Sequence, residues 1–298
     1  MADDSGPAAV IRLATPDDVP AIRAILAAHG NDDPPGQLRG PDIVGPYLRH
    51  LIARQRPMVS ELPGAGVVAF GAVADVDVSW HLADLFVHPA RLGQGLGKPL
   101  LQALFGDRQP RTTFASDDPR ALPLYVRTGM AARWVLLYLR GGQEHARRAA
   151  ADPRAGRLEV VDGAPSDLAA LELAWTGADR TRDYELFAAW PGADPFVIQD
   201  ADGPVAVGSG RDRQVGPAAR AVDRLVVRPG AEPVGPVLAA AARSLAGGAV
   251  LDVAVPGPNP ALPMLLELGF VIDDRDVYCA GPTDPVDPRL RLVNGGLL

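Results

Sequence analysis

Apolar and polar positions along the chain follow two rhythms. Leu82-Ala-Asp-Leu-Phe-Val87 is an apolar run closed by Pro89, and Arg111-Thr-Thr-Phe-Ala-Ser116 is a second short run; both predict strands. Pro99-Leu-Leu-Gln-Ala-Leu-Phe105 instead carries its apolar residues at helical spacing and is stopped by Gly106. Near the start, Val10-Ile-Arg-Leu13 predicts a strand. Thr15 stands next as a cap with Pro16 beside it, and a first helix follows to Leu26. Asp118 to Met130 predicts another short helix after the strand ending at Ser116. Strands and helices interleave, which predicts an α/β (α+β) fold.

The link between the strand at 82–87 and the helix at 99–105 reads His88-Pro-Ala-Arg-Leu-Gly-Gln-Gly-Leu-Gly-Lys98. A glycine-rich turn opening a helix presents unpaired backbone N–H groups and the positive end of the helix dipole, which suits a phosphate or pyrophosphate. Two common phosphate loops do not fit. A P-loop needs a hydroxyl where Pro99 stands and a glycine where Leu92 stands. A dinucleotide fingerprint needs its third glycine where Lys98 stands.

The remaining pattern, Gly93-x-Gly95-x-Gly97 after a strand ending in Val-His-Pro, resembles the acetyl-CoA pyrophosphate loop of the GCN5-related N-acetyltransferase (GNAT) superfamily. Two further landmarks stand in the family's order. Ala121-Leu-Pro-Leu-Tyr-Val-Arg-Thr-Gly-Met130 resembles the family's Ala-x-x-Leu-Tyr-x-x-x-Gly-Phe helix, with Met130 for the phenylalanine, and the Val10–Leu26 segment resembles its opening strand and helix.

The chain also repeats itself. Ala121–Met130 has a counterpart in Ala261-Leu-Pro-Met-Leu-Leu-Glu-Leu-Gly-Phe270, and Asp84–Pro89 has one in Arg224-Leu-Val-Val-Arg-Pro229, both offset by 140 (261 − 121 and 229 − 89). Leu158–Leu171 reads as a second opening strand and helix. The resemblance therefore implies two tandem GNAT-like domains, each a mixed, mostly antiparallel sheet flanked by helices. Residues 1–145 would form the catalytic domain with the intact acetyl-CoA loop, and residues 146–298 a degenerate, structural or substrate-shaping one. Arg140–Arg157 reads as the connection. At the same offset Gly93 becomes Pro233, Gly97 becomes Val237 and Tyr125 becomes Leu265, while Gly95 stays as Gly235. Proline removes a donor, valine resists glycine's dihedrals, and leucine carries no proton to give.

Composition narrows the partners. The net charge of −7 argues against nucleic acid and is compatible with a cationic amine. Lys98 is the only lysine; with the abundance of Ala, Gly and Pro this suggests a GC-rich bacterial source. The single Cys279 lies in Val277-Tyr-Cys-Ala280, which reads as a late buried strand, and rules out an internal disulfide. No secretory pattern and no apolar run of about 20 residues is present, so a cytoplasmic location and no membrane partner are expected. The histidines show no metal-ligand spacing, and no metal is expected. His29–Pro41 is read as part of a substrate mouth, and Gly281–Pro288 as an extended surface segment.

The resemblance also assigns roles. Loop N–H groups of Leu92, Gly93, Gln94, Gly95, Leu96, Gly97 and Lys98 would hold the pyrophosphate of acetyl-CoA, although the family's usual Arg or Gln is replaced by Leu92. Phe86 and Val87 would pair with the pantetheine arm, where a backbone N–H can polarise the thioester carbonyl. Tyr125 matches the family's general acid for the departing thiolate. Asp84 is the candidate base. Period-two alternation puts Leu82, Asp84 and Phe86 on one face and His81 on the other. The implied activity is acetyl-CoA-dependent N-acetylation of a small-molecule amine. A non-catalytic acyl-CoA-binding or regulatory protein, and a protein N-acetyltransferase, are the alternatives.

Overall fold

The computed structural model describes residues 9–32, 42–76, 78–213, 218–246 and 248–297. In the first half, the strands are β1 (Val10–Leu13), β2 (Met58–Leu62), β3 (Gly66–Asp75), β4 (Trp80–Val87), β5 (Arg111–Ala115) and β6 (Ala131–Gly142). The helices are α1 (Val19–Ala28), α2 (Val44–Arg54), α3 (Gly97–Phe105), α4 (Ala121–Arg127) and α5 (Gln143–Ala150). The second half holds β7 (Glu159–Asp162), α6 (Pro165–Thr176), α7 (Thr181–Ala188), β8 (Asp194–Asp200), β9 (Gly203–Asp212) and β10 (Ala219–Val227). It continues with α8 (Val234–Leu245), β11 (Val250–Pro256), α9 (Leu262–Glu267), β12 (Val271–Ala280) and β13 (Arg291–Leu292).

All these strands join one sheet, in the order β1-β2-β3-β4-β5-β12-β6-β11-β10-β9-β8-β7, with β13 beside β10. Pairing is antiparallel except for β4 with β5 and β10 with β11. Central strands such as β3 are apolar on both faces because helices cover both. Ile22, Leu26, Leu48 and Leu51 pack on Val59, Phe70 and Ala72 from one side; Leu100, Leu101 and Leu104 pack on Ala69, Val73 and Leu82 from the other. Two-sided burial of this kind provides most of the stabilisation of a strand–helix layer.

The halves exchange their last strands. β12 lies between β5 and β6, and β6 lies between β12 and β11. The stretch Arg140–Arg157, which reads as a connection, holds the end of β6, α5 and a 3-10 turn. Gly141 is a strand residue under the Phe270 ring, and a β-carbon there would overlap it. The repeat is visible in the backbone itself. β4 carries one extra residue between its partners Ala72 and Val73, at Ala83, and β10 carries one at Asp223; 223 − 83 again gives 140.

That bulge corrects the alternation along β4. Asp84 pairs opposite Ala72, but Leu82 pairs opposite Val73 and His81 opposite Ala74. The extra residue flips the register, so Asp84 and Phe86 share their face with His81, and Leu82 turns to the α3 side.

Candidate active site

Trp80–Leu82 of β4 pairs with Arg111–Thr113 of β5, and beyond that the two strands separate. The His88 N–H donates to the Val68 carbonyl at 2.8 Å. An antiparallel ladder alternates, so the backbone groups of Phe86 and Asp84 turn toward β3 and those of Leu85 and Val87 toward the open edge. The edge groups are therefore those of Leu85 and Val87, whereas Phe86, expected to pair there, contributes its side chain. The His29 ring sits beside Phe86 and its Nε2 lies 2.8 Å from the Val87 carbonyl oxygen. Most of the expected mouth loop, residues 33–41, lies outside the described residues.

At the end of that edge the glycine turn opens α3. Gly93 and Gly95 both have φ near +78°, which glycine adopts without strain, and a β-carbon on either would meet nothing within 4 Å. The backbone is thus exposed at both positions. Gly97 starts the helix at ordinary φ, and Pro99 takes a position in the first turn whose missing N–H costs nothing.

The edge and the turn border one cavity of about 1110 Å³. Of the predicted site residues, Asp84, Phe86, Val87, Leu92, Gly93, Gly95, Leu96, Gly97, Lys98 and Tyr125 line it, and Gln94 does not. Tyr125 is 7% exposed, and burial pushes its phenol well above the usual tyrosine range, so it holds its proton at neutral pH. Asp84 is half-buried. Desolvation raises its carboxyl to about 6, against the stabilising hydrogen bond from Tyr47 Oη to Oδ2 at 2.7 Å. His81 is fully buried between Thr112 Oγ1 (3.0 Å) and the Gly295 carbonyl (3.1 Å), and burial lowers it to about 4.

Several lining residues have no motif to announce them. Tyr47 comes from α2. Tyr138 of β6 donates to Asp276 of β12 at 2.6 Å across the exchanged strands, and burial raises both groups. Asn294, Gly295 and Gly296 line the same cavity from beyond β13. The alternation Leu136, Tyr138, Arg140 in a long strand is the only sequence signal for Tyr138. Cys279 is fully buried in β12, and burial pushes its thiol to about 11, as suits a packing residue.

The second half has the same architecture, with the strand edge and the helix start filled by the chain itself. β10 leaves β11 after Val222, and β13 pairs with Leu225 and Val226 on the vacated edge. The Glu232 carboxylate accepts from the Val234 and Gly235 N–H groups at 2.8 and 3.0 Å, occupying the helix start with the chain's own anion. A β-carbon on Gly235 would lie 2.9 Å from the Arg154 carbonyl oxygen, so the backbone there is covered. Arg224, at the position of Asp84, forms a buried ion pair with Glu172, which also accepts from Tyr184 Oη at 2.8 Å. Leu265, at the position of Tyr125, is fully buried.

A split β4/β5 edge, a glycine turn at the start of α3 and a matching copy after 140 residues together decide the architecture. This is the tandem GNAT fold. The chain is similar over its length to solved structures that share it. A candidate acetyltransferase from Pyrococcus horikoshii superimposes with TM-score 0.70 at 14% identity, covering 97% of this chain and 94% of that one. A tandem GNAT protein from the clavulanic acid biosynthesis pathway gives TM-score 0.63 at 16% identity over 93% and 99% of the two chains. A GCN5-related N-acetyltransferase from Sphaerobacter thermophilus gives 0.58 at 15% over 94% and 98%. No protein-family model and no curated protein matches the chain. Among the described residues no helix is long and apolar enough to cross a membrane, and no cluster of ligand-type side chains could hold a metal ion.

Proposed function

We propose that the protein is an acetyl-CoA-dependent N-acetyltransferase acting on a small-molecule amine through its first half. The observation that carries this reading is a contrast inside one chain. The first half keeps an open strand edge, an open glycine turn, a buried tyrosine and a half-buried aspartate on one cavity, whereas in the second half β13 occupies the edge, Glu232 occupies the helix start, and Leu265 and Arg224 stand at the tyrosine and aspartate positions.

The residues fit the cofactor. Gly93 and Gly95 leave room for close approach of a pyrophosphate to the backbone, and the start of α3 adds N–H donors with a favourable dipole. Leu85 and Val87 offer backbone groups to an extended arm, and their N–H groups can stabilise charge developing on a carbonyl oxygen. When bound, acetyl-CoA supplies an acetyl group activated as a thioester. Tyr125 Oη holds the proton that a leaving thiolate needs. Asp84, ionised above about pH 6 and fixed by Tyr47, accepts the proton that the amine must lose. The cavity is walled by both halves, by Asp276 and Asn294–Gly296 as well as by α2 and β4, which suits a small molecule better than a peptide chain.

The test is CoA release from acetyl-CoA across a panel of primary amines, followed by mass detection of the acetylated amine. At least one amine should be acetylated, and Tyr125→Phe should slow that reaction with little change in acetyl-CoA affinity. A panel with no acetylated product, from protein shown to bind acetyl-CoA, counts against transfer and for a binding role.

A further inference from the structure

The second half contributes more to the cavity than packing. After β13 settles on the edge of β10, Val293 is buried against Leu136 and Ala254. A few residues later Leu297 is buried again, and the Arg180 guanidinium donates to its carbonyl. Between these anchors, Asn294–Gly296 crosses the cavity that the first half opens. Asn294 fixes the crossing. Its Nδ2 donates to Asp223 at 3.2 Å, and its Oδ1 accepts from the Gly296 N–H at 2.9 Å. The Gly295 carbonyl can only accept, so His81 must donate to it from Nε2.

Two glycines in this crossing are not explained by backbone conformation, because neither has a positive φ. Lateral space explains them. A β-carbon on Gly295 would lie 3.1 Å from Tyr138 Oη, and one on Gly296 would lie 3.0 Å from Tyr47 Oη. Those hydroxyls hold Asp276 and Asp84 respectively. A strip of bare backbone thus runs between two tyrosine–aspartate pairs at the place where an acceptor must reach Asp84.

We propose that Asn294–Gly296 is the specificity-determining wall of the acceptor pocket, and that the second half's filled strand edge is the mount that holds it. The inference rests on reading the cavity as an acyl-transfer site. Any added methyl crowds a tyrosine hydroxyl and narrows the pocket, while release of Asn294 widens it.

The test uses the full chain with CoA bound, and calorimetry of a panel of monoamines, linear diamines and amino sugars, so that binding is read without turnover. Gly296→Ala and Gly295→Ala should each weaken the amines that wild type binds by roughly tenfold or more, the larger amines most. CoA affinity and melting temperature should stay at wild-type values. Asn294→Ala, which adds no bulk, should broaden the set of amines bound. Unchanged amine affinities in all three variants, or no amine bound by wild type, would overturn the wall. Amines that bind and respond to these variants but are not acetylated leave the wall standing and remove the transfer reading. Amines that are acetylated with selectivity untouched by the variants do the reverse.

Discussion

Replacing Asp84 by asparagine should make the protein more stable and less active at the same time. The folded chain holds the Asp84 carboxyl near 6, against an ordinary value of 3.8, because the carboxylate is desolvated on β4. The folded state binds this proton more tightly than the unfolded one, so the group's stabilising contribution is complete below about pH 4 and is lost as pH rises through about 6. Above that, raising the carboxyl from 3.8 to about 6, at about 1.4 kcal/mol per tenfold in proton affinity, amounts to about 3 kcal/mol of destabilisation. This is an upper limit, since Asp84 opens on the cavity and solvent screens part of the cost. Asparagine removes the charge and keeps an oxygen for Tyr47 Oη to bond. The variant should therefore gain up to about 3 kcal/mol at pH 7.5, on the order of 5 °C in melting temperature, and only about half as much free energy at pH 5. Denaturant melts of both proteins from pH 5 to 8 measure this directly. Acetyl transfer by the variant should fall by about 10²-fold or more, and kcat/KM of the wild type should decline as pH drops through about 6. A variant no more stable than wild type at pH 7.5, or a gain that does not vary with pH, refutes a desolvated Asp84. An active variant refutes its role as base.

Tyr125→Phe should lower kcat and kcat/KM together by roughly 10²–10⁴-fold where chemistry limits the rate, because the hydroxyl acts on charge that exists only in the transition state; a normal melt with wild-type turnover makes Tyr125 a packing residue. Residues 1–145 expressed alone should aggregate or stay inactive, since β6 would lose both of its sheet partners, β11 and β12; a soluble and fully active fragment contradicts the shared cavity.

Much of this architecture is written locally. The strand ending at Val87, the turn glycines and the helix from Gly97 are set by neighbours within a few residues, so periodicity and turn chemistry find them. The offset of 140 likewise exposes the lapsed positions Pro233, Val237 and Leu265 from the sequence alone. Long-range pairing is what stays hidden. The bulge at Ala83 depends on how β4 meets β3, and no local residue marks it, so the alternation expected for Leu82 and His81 comes out on the wrong faces. The exchange of β6 and β12 depends on competition among strands far apart in the chain, and Gly141 looks like a linker until Phe270 packs on it. Tyr47, Tyr138 and Asn294–Gly296 reach the cavity only through that tertiary arrangement. Glu232 is the instructive case. Its sequence shows only a lost glycine loop, whereas the structure shows the chain supplying its own carboxylate to the abandoned helix start.

Calorimetric titration of CoA into the full chain separates one working cofactor site in the first half, beside a copy whose strand edge and helix start the chain itself occupies, from two working sites. One site per chain is expected, abolished by Gly95→Val, which forces a branched side chain onto the open loop backbone, and unaffected by Glu232→Ala. Two equivalent sites, or a single site that survives Gly95→Val and is lost with Glu232→Ala, would contradict it.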